Sequence, residues 1–182
     1  LVEWAVEEIG KNAARSVLDI GTGSGCIAIS IALEAPLSEV SAWDISTDAL
    51  RIARGNAASL HAVVDFRQQD ALHASMEDRE KWDLIISNPP YVMEKERKEM
   101  ADNVLRHEPS LALFVPNDDP LRFYRAIARY GKHALRPGGT LLFEINPLLA
   151  EDMLRLLEEE SYQHVQLIAD AFGKSRFTKA TI

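Results

Sequence analysis

Residues 16–25 have the sequence SVLDIGTGSG, in which a short apolar run ends in a cluster of glycines. The run Ser16–Ile20 predicts a buried β-strand because it is short, mostly apolar and followed directly by turn-forming residues. Behind the glycines, Cys26–Leu33 predicts a helix that ends before Pro36. A strand, a glycine-rich turn and a helix in this order are typical of the first unit of an open α/β sheet.

Strand and helix patterns alternate along the rest of the chain. The further predicted strands are Val40–Trp43, Val63–Phe66, Trp82–Ser87, Thr140–Ile145, His164–Ile168 and Arg176–Ile182, and the further predicted helices are Thr47–Ser59, Leu121–Leu135 and Leu148–Glu160. We expect Ser46 to cap the first of these helices, Pro137-Gly138-Gly139 to end the second, and residues 92–118 to form a long loop or a partly helical lid.

This alternation predicts a Rossmann-like α/β fold with a seven-stranded, mostly parallel sheet and helices on both faces. The last two predicted strands have no helix between them, only the loop around Ala169–Ser175. We therefore expect them to form an antiparallel pair at one edge, with an antiparallel last strand.

Composition indicates one globular domain and narrows the classes of partner. The chain has 182 residues, of which 47% are hydrophobic and 26% charged, and no apolar run approaches the length of a membrane span. The single cysteine, Cys26, excludes an intrachain disulfide, and the five histidines lack the spacing of a metal site. A formal net charge of -8 weighs against general attraction to nucleic acid. We expect a cytoplasmic monomer, without signal peptide, membrane contact or metal, that acts on a small molecule or a protein.

Three aspartates end or follow predicted strands, and we expect them to line one crevice. Asp19 lies two positions before the first glycine of the turn, Asp44 ends the second strand 25 residues later, and Asp70 follows the third strand. Ligands of open α/β sheets bind beyond the carboxyl ends of the strands. There Asp44 can accept two hydrogen bonds from a ribose diol, and Asp70 can accept one from an adenine amino group.

The glycine turn alone leaves more than one interpretation open. Gly23–Ala28 also fits the dinucleotide fingerprint G-x-G-x-x-A. Asp19 favours another ligand, because a carboxylate is unfavourable beside a pyrophosphate but suits the ammonium and sulfonium groups of S-adenosylmethionine. In a third interpretation the glycines only make a tight turn and the aspartates only cap helices.

The stretch Asn88-Pro89-Pro90-Tyr91, directly after the fourth predicted strand, indicates the chemistry. An amide nitrogen is a poor nucleophile because its lone pair is delocalised, so an enzyme that methylates it must orient the NH₂ group and stabilise positive charge on nitrogen. The side-chain oxygen of Asn88 and the backbone carbonyl of Pro89 can both accept hydrogen bonds from that group. Each proline fixes its own φ and confines the residue before it to extended conformations, which holds both oxygens in place. Tyr91 offers a flat face on which a planar group can stack.

Together these residues resemble the class I S-adenosylmethionine-dependent methyltransferases and, within that class, the glutamine methyltransferases of peptide release factors (the HemK/PrmC type). The resemblance extends over nearly the whole chain and is carried by Val17–Cys26, Trp43–Ser46, Ala49-Leu50, Asn56-Ala57, Ser87–Val92, Glu108-Pro109, Ala112-Leu113, Gly138-Gly139, Phe143–Ile145 and Asp170–Phe177. It implies a seven-stranded sheet with an antiparallel last strand. It also implies methyl transfer to the glutamine of a Gly-Gly-Gln loop in a release factor, which gives an N5-methylglutamine in a protein of translation termination.

The same resemblance implies the site residues. Asn88, Pro89, Pro90 and Tyr91 are the expected catalytic residues, with Asn88 and Pro89 binding the glutamine amide. The expected contacts of the cofactor, S-adenosylmethionine, are Asp19, Gly21, Thr22, Gly23, Gly25, Asp44, Ile45, Asp70, Ala71 and Asn88. In this assignment Asp19 and the glycines bind the methionine end, Asp44 the ribose and Asp70 the adenine.

Two features depart from the family pattern. The family has Glu-Ile-Gly-x-x-Gln after the fifth strand, whereas residues 144–149 of this chain have the sequence EINPLL, so the glycine and the glutamine are replaced. Family members also carry a small N-terminal helical domain. We expect residues 1–182 to be the catalytic domain alone, without that domain, which could help to bind the release factor.

Other functions remain open on the sequence alone. Adenine and guanine amino methyltransferases share the Asn-Pro-Pro-Tyr motif, although they act on a flipped or unpaired base and the acidic net charge weighs against such a substrate. A nicotinamide-dependent oxidoreductase could use the glycine turn, but no residue suggests hydride chemistry and Asn88–Tyr91 would be unexplained. The last alternative is a domain that keeps the fold without activity.

Overall fold

A seven-stranded sheet forms the centre of the protein in the computed structural model, which describes residues 1–10, 12–93, 95–96, 114–170 and 172–182. The helices are α1 Val2–Ile9, α2 Cys26–Glu34, α3 Thr47–Leu60, α4 Arg122–Ala134 and α5 Ala150–Glu159. The strands are β1 Ser16–Ile20, β2 Glu39–Asp44, β3 Asp65–Gln68, β4 Trp82–Ser87, β5 Val92–Met93, β6 Phe114–Val115, β7 Leu135–Glu144, β8 Gln163–Ala169 and β9 Ser175–Thr181. Two 3₁₀ turns lie at Ala71–His73 and Pro147–Leu149.

The strand order confirms the predicted Rossmann-like topology. It is β3-β2-β1-β4-β7-β9-β8, and β1 pairs in parallel with both β2 and β4. β9 is antiparallel to both β7 and β8, so the last two strands form the expected antiparallel pair. β9 lies inside the sheet and β8 forms the edge. From β1 the chain adds β2 and β3 on one side of the sheet and then continues with β4 on the other side of β1. Such sheets open a crevice for a ligand at this switch point between β1 and β4.

Apolar side chains cover both faces of the sheet, as the two-residue period of a buried strand requires. In β4, Ile85 packs into a cluster with residues of α4 and α5, among them Tyr130 and Met153. Its neighbours Leu84 and Ile86 pack on the opposite face with residues of α1 and α2. The prediction of helices on both faces is therefore confirmed.

Two predicted element boundaries were wrong for identifiable reasons. The third strand is Asp65–Gln68, because α3 ends in a turn at His61, where φ is 56°, and Val63 beyond it is 87% exposed. The helix predicted as Leu121–Leu135 ends at Ala134, and Pro137–Gly139, which was expected to end it, lies inside β7. Proline cannot donate to the ladder, and the pairing of β4 with β7 shifts register between Trp82 and Leu84.

Two other predictions differ in detail. The helix predicted from Leu148 starts instead as the 3₁₀ turn Pro147–Leu149 and becomes α-helical at Ala150. The stretch predicted as a lid contains β5 and β6, which pair in parallel as a separate two-stranded sheet. Residues 97–113, with Glu108-Pro109 and Ala112-Leu113, lie outside the described residues, as does Ala171.

Candidate active site

The glycine turn between β1 and α2 is connected by its backbone to the end of β2. The N–H groups of Gly21 and Thr22 both donate to the carbonyl of Trp43 at 2.9 Å. Gly25 is the N-cap of α2 with φ 84°, a conformation that strains other residues, and a Cβ there would lie 3.1 Å from Ala53 Cβ, so glycine is strongly favoured. At Gly21 and Gly23 a Cβ would meet nothing within 4 Å, which leaves open space against the backbone for a ligand.

Asp19 ends up buried beneath this turn as a carboxyl group with one unused oxygen. Its Oδ2 accepts a hydrogen bond of 2.6 Å from the Thr22 hydroxyl, whereas Oδ1 is buried without a hydrogen-bond partner. Burial raises the pKa of Asp19 to about 7, and the nearby charge of Asp44 adds to this against the opposing effect of the Thr22 bond. The Ala28 N–H also lowers this pKa, although its contact with the carboxylate does not have the geometry of a hydrogen bond.

This arrangement fits a cationic ligand at the turn. A buried acceptor without a donor is unfavourable, and an ammonium group would compensate for it. Because Oδ1 is covered, a ligand reaches it directly only if the turn moves. In the conformation described, the Asp19 carboxylate can act on a cation at the turn only through its charge.

Asp44 is held by two backbone donors and retains acceptor capacity. Its Oδ2 accepts from the Gly23 N–H and its Oδ1 from the Ser46 N–H, each at 2.8 Å. A carboxylate oxygen has a second lone pair, so each oxygen can still accept from a hydroxyl such as those of a ribose. The next residue, Ile45, is 59% exposed and presents an apolar surface beside the turn.

Asp70 caps the 3₁₀ turn that starts at Ala71. Its Oδ1 accepts from the Leu72 N–H at 2.9 Å, and its Oδ2 lies 2.7 Å from Nδ1 of His73. Burial alone would raise the pKa of Asp70, but the bonds from His73 and Leu72 lower it overall. The Gln69 N–H donates to the Asp44 carbonyl, which places the Asp70 turn next to the end of β2. Contact with an adenine remains a prediction, while the capping role is a feature of the structure.

The stretch from Asn88 to Tyr91 starts beside the glycine turn. The Ser87 hydroxyl donates to the carbonyl of Ile20 at 2.6 Å, which connects the ends of β4 and β1. Asn88 is exposed, and its side chain has no hydrogen-bond partner among the described residues, whereas Pro89 is buried. The Asn88 amide is therefore free to bind a group that enters the crevice.

Tyr91 is bound at both its side chain and its backbone by the residues that follow β7. Its hydroxyl donates to Glu144 Oε1 at 3.1 Å, and its carbonyl accepts from Asn146 Nδ2 at 3.3 Å. Burial, together with the charge and hydrogen bond of Glu144, raises the pKa of Tyr91 to about 12, although Arg176 opposes this. The Tyr124 hydroxyl donates to the Glu144 carbonyl at 2.9 Å and fixes the end of β7.

From the sequence, Tyr91 was an expected catalytic residue with a stacking face, and Asn146 was only a departure from the family pattern. Their mutual contact was missed, because it joins residues 55 positions apart. Its one visible signal was an amide residue, Asn146, two positions after the end of β7.

The predicted residues meet at one edge of the sheet, although the described grooves lie elsewhere. Asp19 is the penultimate residue of β1, Asp44 is the last residue of β2 and Asn88 directly follows β4, and these three strands are adjacent. One open groove of about 670 Å³ lies between α1 and α2, and another of about 830 Å³ lies near the amino ends of the strands. We place the site by its polar groups, since neither groove contains them. Within the described ranges no helix is long and apolar enough to span a bilayer, and no cluster of three metal-ligating side chains occurs.

Comparison with known proteins places the chain among methyltransferases. The release factor glutamine methyltransferase of Bacteroides thetaiotaomicron is 55% identical over 180 residues, which cover 99% of this chain and 64% of that protein. The protein of the same name from Flavobacterium psychrophilum is 42% identical over 182 residues, which cover 98% of this chain and 64% of its own length. The chain thus spans less than two thirds of each of these relatives.

A solved structure and a family match agree with this placement. The crystal structure of TrmN from Thermus thermophilus superposes with a TM-score of 0.65 at 22% identity, over 100% of this chain and 47% of that one, which shows a common fold. The sequence model of the methyltransferase small domain matches residues 3–111. Because this match extends over more than half of the 182 residues, the chain belongs to the methyltransferase small domain family.

Proposed function

We propose that this protein transfers a methyl group from S-adenosylmethionine to the side-chain nitrogen of the glutamine in the Gly-Gly-Gln motif of peptide chain release factors. Two relatives with 55% and 42% identity carry the name release factor glutamine methyltransferase. The proposal includes a release factor as protein partner, a monomeric enzyme in the cytoplasm, and residues 1–182 as its catalytic domain.

One observation carries the proposal most directly. The Asn88 amide is exposed and has no partner in the part of the chain that the structure describes, and it lies directly after a strand end that the Ser87–Ile20 hydrogen bond places beside the glycine turn. A buried structural asparagine would have its hydrogen bonds satisfied inside the protein. A free amide oxygen next to a cofactor turn instead suits binding of an NH₂ group from a substrate.

Each residue of the stretch from Asn88 to Tyr91 has its own role in the proposed methyl transfer. The Asn88 side-chain oxygen and the Pro89 carbonyl accept hydrogen bonds from the glutamine NH₂, which orients its nitrogen and stabilises positive charge as it develops. Pro90 restricts Pro89 to an extended conformation, and Tyr91 provides a face for the planar amide. The two prolines restrict the backbone that carries these acceptors before the substrate arrives, which lowers the reorganisation that the reaction requires.

The cofactor residues fit S-adenosylmethionine by charge and shape. When bound, this cofactor supplies an activated methyl group on a sulfonium. The turn of Gly21, Thr22, Gly23 and Gly25 offers open backbone, and the Asp19 carboxylate beneath it favours a cation. Asp44 can accept from the ribose hydroxyls, Ile45 can pack against the adenosine, and Asp70 with Ala71 would border the adenine.

Methyl transfer to parallel substrates tests the proposal. The protein is incubated with methyl-labelled S-adenosylmethionine and, in separate samples, with a release factor, total tRNA and rRNA, or DNA. We expect label on the release factor, located on its Gly-Gly-Gln glutamine by mass spectrometry, and a loss of at least 100-fold with Asn88→Ala. Asn12→Ala is the matched control, since Asn12 is exposed and precedes the amino end of β1, at the other edge of the sheet.

The other outcomes are equally informative. Label on nucleic acid would reject the substrate but keep the cofactor and the role of Asn88. Equal labelling by Asn88→Ala and wild type would reject the proposed catalytic site. No label in any sample, with cofactor bound, would reject the activity for this chain.

A further inference from the structure

Asn146 is a buried side chain, only 5% exposed, at the point where the chain leaves β7. Its Oδ1 accepts a hydrogen bond of 3.0 Å from the Leu148 N–H and so caps the 3₁₀ turn Pro147–Leu149. This cap requires only an acceptor, which aspartate or serine would provide equally well. The turn alone therefore gives no reason for an amide at this position.

The NH₂ group of Asn146 is used by two other segments. It donates to the Tyr91 carbonyl at 3.3 Å and to Glu96 Oε2 at 3.0 Å. Glu96 Oε2 also accepts from the Met93 N–H at 2.9 Å. One side chain thus connects three parts of the chain: the residues after β7, the stretch from Asn88 to Tyr91, and Glu96, which is itself bound to the end of β5.

The bond to Tyr91 matters because of the two prolines before it. Pro89 and Pro90 have fixed φ angles, and each restricts the residue before it, so few torsions remain free between Asn88 and Tyr91. A constraint on the Tyr91 backbone is therefore passed to the oxygens of Asn88 and Pro89. The bond from the Tyr91 hydroxyl to Glu144 constrains the side chain, whereas Asn146 is the donor to its carbonyl.

We propose that Asn146 is a positioning residue for methyl transfer: its NH₂ group holds the Tyr91 backbone and thereby aligns the Asn88 and Pro89 oxygens with the substrate nitrogen. The inference rests on the proposed function and adds to it a role for a residue that contacts neither substrate nor cofactor. Its effect is on the catalytic step, because Asp19, the glycine turn and Asp44 are held by other strands.

The variant Asn146→Asp removes the donor and keeps the cap. Aspartate keeps the oxygen that caps the Leu148 turn, but it donates to neither Tyr91 nor Glu96 and places a second carboxylate beside Glu96. We expect kcat for a release factor to fall roughly 10- to 100-fold, as displacement of a positioned group does. The dissociation constant of S-adenosylmethionine, measured by calorimetry, should stay within about twofold.

A second variant separates positioning from stability. In Asn146→Asp combined with Glu96→Gln, the glutamine amide can donate to the aspartate, which restores the link to position 96 and removes the repulsion. We expect the melting temperature to recover while kcat stays low, because nothing donates to the Tyr91 carbonyl. Asn117→Asp is the matched control; it makes the same chemical change nearby and keeps the oxygen that accepts from the Lys95 N–H.

Hydrogen–deuterium exchange gives a readout that does not depend on activity. The amides of Tyr91, Val92 and Met93 should exchange faster in Asn146→Asp and in the double variant than in wild type and Asn117→Asp. Three outcomes would each overturn the inference. The first is unchanged kcat and exchange in Asn146→Asp, and the second is full recovery of kcat in the double variant. The third is a loss of kcat that matches the loss of folded protein. Failure of the proposed function would look different, since wild type itself would then leave the release factor unlabelled while the exchange difference persisted.

Discussion

Replacement of Asp19 by asparagine should stabilise the protein at alkaline pH but not at acidic pH. Burial raises the pKa of the Asp19 carboxyl from 3.8 to about 7. Between these values the folded state binds more protons than the unfolded state, so stability falls as pH rises. Above pH 7 the full penalty applies, and a rise from 3.8 to about 7 corresponds to roughly 4 kcal/mol.

The size of the effect follows from what asparagine removes and what it leaves. It removes the buried charge, and its amide oxygen can still accept from Thr22. Its NH₂ group, however, lies at the Oδ1 position without an acceptor, which lowers the free energy of unfolding by roughly 1–3 kcal/mol. The net gain at pH 8 is then roughly 1–3 kcal/mol. The change between pH 5 and pH 8 is independent of that cost, and two pH units at about 1.4 kcal/mol each give roughly 3 kcal/mol.

Urea unfolding at pH 5, 6.5 and 8 measures this difference directly. Asp48→Asn is the matched control, because the Asp48 side chain is 88% exposed and the same chemical change there should show no comparable pH dependence. If the stability difference between Asp19→Asn and wild type is the same at pH 5 and pH 8, the buried carboxyl is ionised throughout and the reasoning fails. We also expect Asp19→Asn to weaken binding of S-adenosylmethionine, since the turn then lacks the charge that attracts the ammonium group.

Two further predictions concern the glycine turn and the Tyr91 side chain. Gly25→Ala should destabilise the protein by roughly 2–5 kcal/mol in thermal unfolding, because an L-residue is strained at φ 84° and its Cβ would crowd Ile29 and Ala53. The control Gly55→Ala, inside α3 with open space around it, should instead stabilise the protein slightly. Tyr91→Phe should lower the free energy of unfolding by roughly 1–3 kcal/mol, because it removes the hydrogen bond to Glu144. Burial raises the pKa of Tyr91 to about 12, so urea unfolding should give the same loss at pH 7 and pH 9. A loss that disappears at pH 9 would contradict this assignment.

The sequence was sufficient for the elements with strong periodicity and clear turns on both sides. Ser16–Ile20 and Trp82–Ser87 are strands with the predicted bounds, because each is an apolar run next to a turn. Val63–Phe66 was displaced by two residues, since its apolar start belongs to the turn after α3. The pair β5 and β6 was missed because two-residue strands carry no pattern of their own and pair across a long stretch of chain.

The site was predictable in its location and less so in its interactions. Strand ends place Asp19, Asp44 and Asn88 together, and topology alone implies this. The unpartnered oxygen of Asp19, the cap at Asp70 and the bond from Asn146 to Tyr91 depend on side-chain orientation, which no spacing rule provides. Asn146 shows the limit most clearly, because the resemblance marked it as a lost glycine whereas the structure gives its amide three partners.

The contacts around the crevice explain why a site on loops can be well ordered. Each strand end is joined to its neighbour by a hydrogen bond: Ser87 to Ile20 between β4 and β1, the turn N–H groups to Trp43 between β1 and β2, and Gln69 to Asp44 at the end of β3. The sheet therefore sets the position of the glycine turn relative to Asn88. The residues at and after the end of β7 restrict Tyr91 through the bonds from Asn146 and to Glu144. Asp19 is the exception, since its buried charge destabilises the fold, and such a cost is expected to persist only where binding requires it.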